Sequence, residues 1–590
     1  MISPLGAETR RTPSGCFGGP SAKIPALGPQ RISSAPSALP RRSVLIAGLL
    51  FVAAAHAQSP AAIRDYQPGV HAGHYAIHVT IPDSGRTVDV TTVVYVTRSR
   101  AMDTLRLDLE SAMHVSRVMV NARDVTFALD EHTLRVALPK WDPACAQGRV
   151  ILGEQPNPCV AWVSVETRGA PTDGLIISRD PQRRWQYFTD HWPNRARQWL
   201  PTIDHPSDKA TVEWRVIAPS ALTVVANGTQ TERTAIANEP GHTVTAWKTD
   251  VPIPAYLFAM AAAPMAKIGL GPAACGRADN GGCVEIDVYE APELAPRTPP
   301  GIAVAVGVVE WLSHTMAPFP YEKLSHLESS TRFGGMENAS AIFYADNSFR
   351  NMSLGESTVA HETAHQYFGD AVTEARWSDV WLSEGFATYF AALWARQAHG
   401  DSAFRAAMDG IRQRILAAPE VAQRPVIDTT QTDLMLLLNR NSYEKGGYVL
   451  HMLRAQIGDS AWARGIRSYY AAHKNGNAVT DDLRHAMEAE SHTDLKWFFD
   501  QWLTRPGYAQ LETSWSHDEI VTVQVKQTGA FGPYRLQLPV EVEDADGVVT
   551  RVTLDVQAMR ESSLALPGRY TRPPKRLTFD PDHDLLAVIR

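Results

Sequence analysis

The chain has 590 residues, 44% hydrophobic and 20% charged, the proportions of a soluble globular protein with ample core. That composition excludes disordered, collagenous and disulfide-scaffold chains, and at this length three or four domains are expected. The formal charge of −7 and the lack of a long basic block argue against nucleic acid as a partner.

Residues 1–40 are rich in Pro, Gly, Ser and Ala and show no helical or strand periodicity. Arg41-Arg42, an apolar run over 44–55 and Ala55-His56-Ala57 follow. A basic flank, a short apolar core and small residues at −3 and −1 predict a secretory signal cut after Ala57. The run is short for a membrane span, so no stable membrane insertion is expected once the signal is removed. The remaining 533 residues would carry −12, since residues 1–57 hold six basic residues and one acid. Export to the periplasm is the expectation, with secretion as the alternative.

Four cysteines remain after the signal: Cys145, Cys159, Cys275 and Cys283. An even count in an oxidising compartment favours bridges, and sequence proximity favours Cys145–Cys159 and Cys275–Cys283 among the three possible pairings. Four reduced, buried thiols are the bland alternative.

Period-two alternation begins at Tyr75, Ile77, Val79 and Ile81. It returns at Val88, Val90 and Val94, at Leu105, Leu107 and Leu109, and at Val212, Trp214 and Val216, so the first 200 or so residues after the signal read as a β-domain. The character changes near residue 300, where 302–316, 358–368, 381–396, 447–457 and 497–503 show helical spacing. After Pro506-Gly507 alternation resumes at Val521, Val523 and Val525 and at Leu538, Val540 and Val542. Asp546-Gly547 is a hairpin signal between two such runs, and the last segment reads as a small β-sandwich.

Within the helical part, His361-Glu362-Thr363-Ala364-His365 reads H-E-x-x-H. Two His at i and i+4 on a helix face the same way and can reach one ion, while Glu362 lies one residue round, placed to touch a water without ligating. Glu384 follows His365 by 19 positions at the start of the next helical run, and a turn between the helices can return its carboxylate to the same ion. Two His, one Glu and an open fourth position is a catalytic zinc arrangement, and N/O ligands in a tetrahedral set favour one Zn²⁺ per chain over magnesium or calcium.

Phe333-Gly334-Gly335-Met336-Glu337-Asn338 resembles the G-x-M-E-N motif of zinc aminopeptidases of the alanyl-aminopeptidase and leukotriene-hydrolase type. Residues 361–370 and 377–389 are similar to that family's metal segments, and Tyr443-Glu444-Lys445-Gly446 to its Tyr-x-Lys-Gly segment. Ala196-Arg197, Pro201, Asp204, Pro206, Lys209 and Ala210 resemble its β-domain stretch, and Phe498-Phe499 to Gly507-Tyr508 the end of its catalytic domain.

The signal features, the periodicity and the resemblance together give a multidomain α+β protein: leader 1–57, N-terminal β-domain 58–268, thermolysin-like and mostly helical zinc catalytic domain 269–508, and small C-terminal β-sandwich 509–590. The resemblance also implies roles. His361, His365 and Glu384 would hold zinc, Glu362 would be general base, and Tyr443 would donate to the oxyanion of the transition state. Glu337 would hold the free α-amine of a peptide, beside Gly334, Gly335, Met336 and Asn338. Asp190 stands where the family usually has Gln, and would add a second carboxylate at the amine. Relatives with a large helical C-terminal domain roof the site, so a more open cleft is expected with only the last 80 or so residues in that place. The function implied is zinc-dependent removal of N-terminal residues from peptides with a free N-terminus. An exported zinc endopeptidase, an epoxide hydrolase of the leukotriene type and a non-catalytic peptide binder are the alternatives.

Overall fold

In the strand Val70–Thr80, Ala72, Tyr75, Ile77 and Val79 are buried, and the break in spacing after Ala72 is a register shift against the neighbouring strand. The computed structural model to which this strand belongs describes residues 59–142, 159–279, 281–295 and 297–590. The leader at 1–57 and the Cys145–Cys159 pairing lie outside the described residues. Residues 58–590 form one compact unit.

Val70–Thr80 runs parallel to Lys209–Pro219 and antiparallel to Val88–Arg98 at the centre of an eight-stranded sheet. A four-stranded sheet orders Thr223–Ala226, Met260–Ala263, Trp185–Thr189 and Leu175–Arg179. The strand Ala266–Ala273 straddles the expected boundary at 268. It pairs with Val284–Glu290 and so belongs to the next sheet, which places the change of sheet before residue 266.

That next sheet is mixed. Val284–Glu290, Lys323–Ser329 and Ala341–Ala345 run parallel, and Gly335–Met336 forms an antiparallel edge against Phe343 and Tyr344. Parallel strands are covered on both faces, and every residue of Lys323–Ser329 is buried although only Leu324 and Leu327 are apolar. The burial is tolerated because partners are supplied: Lys323 Nζ donates to Ser340 O at 2.8 Å and Ser329 Oγ to Tyr344 O at 3.0 Å.

Among the described residues, the helices of eight or more residues are α1 (Ala305–Thr315), α2 (Glu356–His365), α3 (Trp381–His399), α4 (Asp401–Ala417), α5 (Gly446–Ile457), α6 (Asp459–His473), α7 (Thr480–Ser491) and α8 (Lys496–Leu503). Helix α3 is buried from Trp381 to Trp394 at all but one position and is the hub of the helical layer. Its Phe386 and Phe390 pack on the ring of Phe368, which follows α2. After α8, Ala509–Asp518 begins a four-stranded sheet and Leu536–Glu543 centres a three-stranded one. Asp546-Gly547 lies in the turn between Leu536–Glu543 and Val549–Val556, as its residue types predict. Cys275 and Cys283 form a disulfide. Among the described residues no helix is long and apolar enough to cross a membrane.

Candidate metal centre and active site

Helical spacing of four residues stacks His361 and His365 on one face of α2. Their Nε2 atoms stand 3.1 Å apart, and Glu384 Oε2, from the first turn of α3, lies 3.3 Å from each. Three ligands held tetrahedrally about 2.0–2.1 Å from an ion stand about 3.3–3.4 Å from one another, so this triangle has the size of a zinc ligand set. Glu384 Oε2 is buried and has no hydrogen-bond partner, an orphan acceptor that an ion satisfies. The residues present therefore fit zinc.

Supporting contacts fix each ligand. His365 Nδ1 donates to Phe368 O at 3.1 Å and lies 3.0 Å from Ser383 Oγ, which leaves Nε2 with its lone pair toward the site. Glu384 is placed by a close helix crossing. A Cβ on Gly385 would lie 2.8 Å from the carbonyl carbon of Gly446, so α3 and α5 touch backbone to backbone at that point. The turn just before α5, Asn441–Lys445, is π-helical and carries Tyr443. The Tyr443 ring stacks on His361 with centroids 5.9 Å apart and planes 9° from parallel.

Carboxylates crowd this centre. Burial pushes Glu337 up to about 7, against the pull of His365. Burial also raises Glu362 well above the usual carboxylate range. For Glu384, burial acts upward, but the charge of His365 and the closeness of both imidazoles outweigh it and hold the carboxyl down at about 2. Burial works against a charged His365, yet Glu384, Glu337 and Glu362 together raise it well above the ordinary imidazole value. Glu384, Glu337 and Glu362 around His365 supply the field to hold a cation at this point. Burial, then Glu384, raises the Tyr443 phenol well above its usual value, so it carries its proton at neutral pH.

The other expected residues fall into place unevenly. One ligating atom each from Glu337, Glu362 and His365 lie within 4.8 Å of one another. Gly335 is the condition for that closeness: a Cβ there would stand 2.1 Å from Glu362 Oε1, whereas one on Gly334 would meet nothing within 4 Å. Met336 is 2% exposed, so it offers the site only its edge-strand backbone. Asn338 is buried with its Nδ2 unpartnered.

Asp190 does not stand as a free second carboxylate. Arg332 Nε donates to its Oδ2 at 2.8 Å, Arg195 Nη2 lies 3.2 Å from the same oxygen, and Thr331 Oγ1 donates to Oδ1 at 3.3 Å. Two guanidinium groups already balance its charge, and its position ties down the segment that leads into Phe333–Asn338. Sequence reading missed Arg332 and Arg195 as these partners, and also missed Gln366, whose Nε2 donates to Glu337 O and to Asp370 Oδ2 while its Oε1 accepts from Ser340 N. Gln366 directly follows the second His of H-E-x-x-H, and an amide there was the available signal.

Known proteins resemble this chain in sequence and in fold. The description "Peptidase family M1 domain" matches residues 303–502, and "Peptidase M1 N-terminal domain" matches 74–257. Aminopeptidase N of Streptomyces lividans is 28% identical over 431 residues, 69% of this chain and 45% of that protein. Glutamyl aminopeptidase of Homo sapiens is 26% identical, over 55% of this chain and 35% of its own. The chain thus spans less than half the length of the curated relatives it matches. Among solved structures, a mutant M1 zinc metallopeptidase of Deinococcus radiodurans bound to a Tyr-Ser-Ala substrate aligns with a TM-score of 0.63 at 25% identity, covering 74% of this chain and 95% of that one. Legionella pneumophila aminopeptidase A shares the fold with a TM-score of 0.73 at 17% identity, over 88% of this chain and 60% of its own.

Proposed function

The chain belongs to peptidase family M1, and from that premise we propose that it is a zinc-dependent aminopeptidase, releasing N-terminal residues from peptides. The observation that carries the reading is Glu337, a buried carboxylate beside Glu362 and His365. An endopeptidase has no need of a negative charge there, whereas a free α-ammonium one residue from the scissile carbonyl does.

His361, His365 and Glu384 would hold the zinc, which when bound lowers the pKa of water and polarises a carbonyl. Glu337 holds the substrate ammonium. Glu362, brought close by the missing side chain of Gly335, takes the proton of the attacking water on its carboxylate and passes it to the leaving amine. Tyr443 donates its phenolic proton in a hydrogen bond to the oxygen that gains charge in the transition state. The backbone of Gly335–Met336, at the edge of its sheet, is free to pair with the extended substrate.

Export is proposed with it. The basic flank, apolar run and Ala55-His56-Ala57 support a signal cut after Ala57, and the Cys275–Cys283 disulfide suits an oxidising compartment. Glu362→Gln tests the reading. It should bind one zinc per chain and lose about 10²–10⁴-fold in kcat. Near-full activity in the zinc-loaded variant would remove Glu362 from its role.

A further inference from the structure

Where the N-terminal β-domain meets the mixed sheet, a cavity of about 490 Å³ opens between the edge strand Thr229–Ala235 and the strand Val284–Glu290. Its volume is that of a small-molecule site. None of His361, His365, Glu384, Glu362, Glu337 and Tyr443 lines it, so the proposed hydrolysis does not account for it.

Lys323 lines this cavity and is 7% exposed. A charge buried in protein is ordinarily paired, because leaving water is costly. Lys323 makes no ion pair among the described residues. An ammonium has three N–H donors, and one of these goes to Ser340 O at 2.8 Å. The other two have no acceptor among the described residues. The indole face of Trp247, with its centroid 5.1 Å from Nζ, eases the charge without supplying a hydrogen-bond acceptor of ordinary strength.

The carboxylates of the cavity are engaged elsewhere. Asp287 Oδ2 lies 3.0 Å from Lys267 Nζ, and Glu322 Oε1 accepts from Thr249 Oγ1 at 3.0 Å and from Asp250 N at 3.1 Å. Glu285 is the register partner of Lys323 on the neighbouring parallel strand, but it is exposed and forms no ion pair with it. At the rim the exposed guanidinium of Arg233 has no partner among the described residues. Val224 and Trp247, both buried, add an apolar wall.

Burial, against the pull of Glu322 and Asp287, lowers Lys323 from 10.5 to about 7, and Lys267 adds to the lowering. On its own strand His326 is held at about 3 by burial and by Lys323, so it is neutral. Burial raises Tyr289 on the neighbouring strand, so it keeps its proton. An anion entering the cavity therefore restores the charge of the ammonium and takes up a proton as it binds.

We propose that this cavity binds a small organic carboxylate, with the carboxylate on Lys323 Nζ, Arg233 at the rim, and an apolar or aromatic body against Trp247 and Val224. The site stands apart from the aminopeptidase reading, and either can fail alone. Binding is the readout, because Lys323 also supports the active site: Ser340, whose carbonyl it holds, donates its N–H to Gln366 Oε1, and Gln366 Nε2 donates to Glu337 O.

The test is calorimetric titration of the zinc-loaded protein with phenylacetate, phenethyl alcohol and phenylalanine. Only binding lost in Lys323→Met or Arg233→Glu is counted, which separates this cavity from the zinc centre. At about pH 6 phenylacetate should bind at least about tenfold more tightly than the alcohol. Its affinity should fall about tenfold between about pH 6 and pH 8, as the charged fraction of Lys323 falls. Lys323→Met should abolish that binding, and Arg233→Glu, at an exposed position, should weaken it by about tenfold even if the first variant folds poorly. Tighter binding of phenylalanine than of phenylacetate would support the site and identify its ligand as a free amino acid with its ammonium on Glu285. Looser binding would support it as a site for a simple acid. Equal binding of phenylacetate and the alcohol, unchanged binding in both folded variants, or no binding up to about 10 mM would each overturn the proposal.

Discussion

Gly334 and Gly335 are adjacent in sequence and differ sharply in what surrounds them, which makes a paired substitution decisive. An added Cβ at 335 would stand 2.1 Å from Glu362 Oε1, 2.4 Å from Cδ and 2.7 Å from Cγ. Ordinary contact begins near 3.4 Å, so the carboxylate must retreat by about 1.3 Å. A misplacement of that order at a catalytic group costs about 10²-fold in rate. Gly335→Ala should therefore lower kcat on free-amine peptides by about 10²-fold, with zinc content unchanged because no ligand is touched. Gly334→Ala, with nothing within 4 Å of its Cβ, should remain within about twofold of wild type. The assay is steady-state kinetics on both variants beside metal content and melting temperature. If Gly335→Ala retained more than about a third of wild-type kcat, or if the two variants fell equally, the reasoning about Glu362 would be refuted.

Gly385→Ala forces a methyl against the backbone of Gly446, and should cost about 1–3 kcal/mol of stability as α3 and α5 part; thermal unfolding reads this, and kcat should fall too because the same crossing seats Tyr443. Lys209 is buried and donates to Asp370 O, Ala371 O and Gly476 O, and burial lowers it from 10.5 to about 7. The unfolded chain then binds more protons than the folded one between about pH 7 and 10.5, so this group makes stability rise with pH across that window. Lys209→Met should flatten that rise in denaturant midpoints measured from about pH 7 to 10, and should cost about 1–3 kcal/mol because three carbonyls lose their donor. An unchanged slope would mean that the lysine keeps its proton in the folded state.

The parts of the fold with strong periodicity were legible. Tyr75, Ile77 and Val79 alternate into one core face, and the runs at 381–396 and 447–457 fall within α3 and α5. Helix α4 was missed because only Met408, Ile411 and Ile415 are buried on it, and Ala403, Ala406, Ala407 and Gly410 blunt its apolar stripe. Ala266–Ala273, which spans the expected boundary at 268, pairs with Val284–Glu290, and alternation alone does not say which sheet a strand will join. In the site, H-E-x-x-H and the later Glu384 were readable because the chemistry fixes their spacing. The fate of Asp190 was not, since two of its partners, Thr331 and Arg332, lie 141 and 142 residues away. The dependence of Glu362 on Gly335 is likewise a contact between a sheet edge and a helix, with no local signature.

The central claim is that Glu337 makes the zinc centre read a free N-terminus. Its most direct test is the ratio of kcat/KM for one peptide supplied free and N-acetylated to the zinc-loaded enzyme. A buried charge left without its partner costs about 3–5 kcal/mol, so the free form should win by about 10²-fold or more. Chelation should abolish its cleavage and zinc restore it. Equal cleavage of the two forms would contradict the assignment of Glu337 and make the protein an endopeptidase.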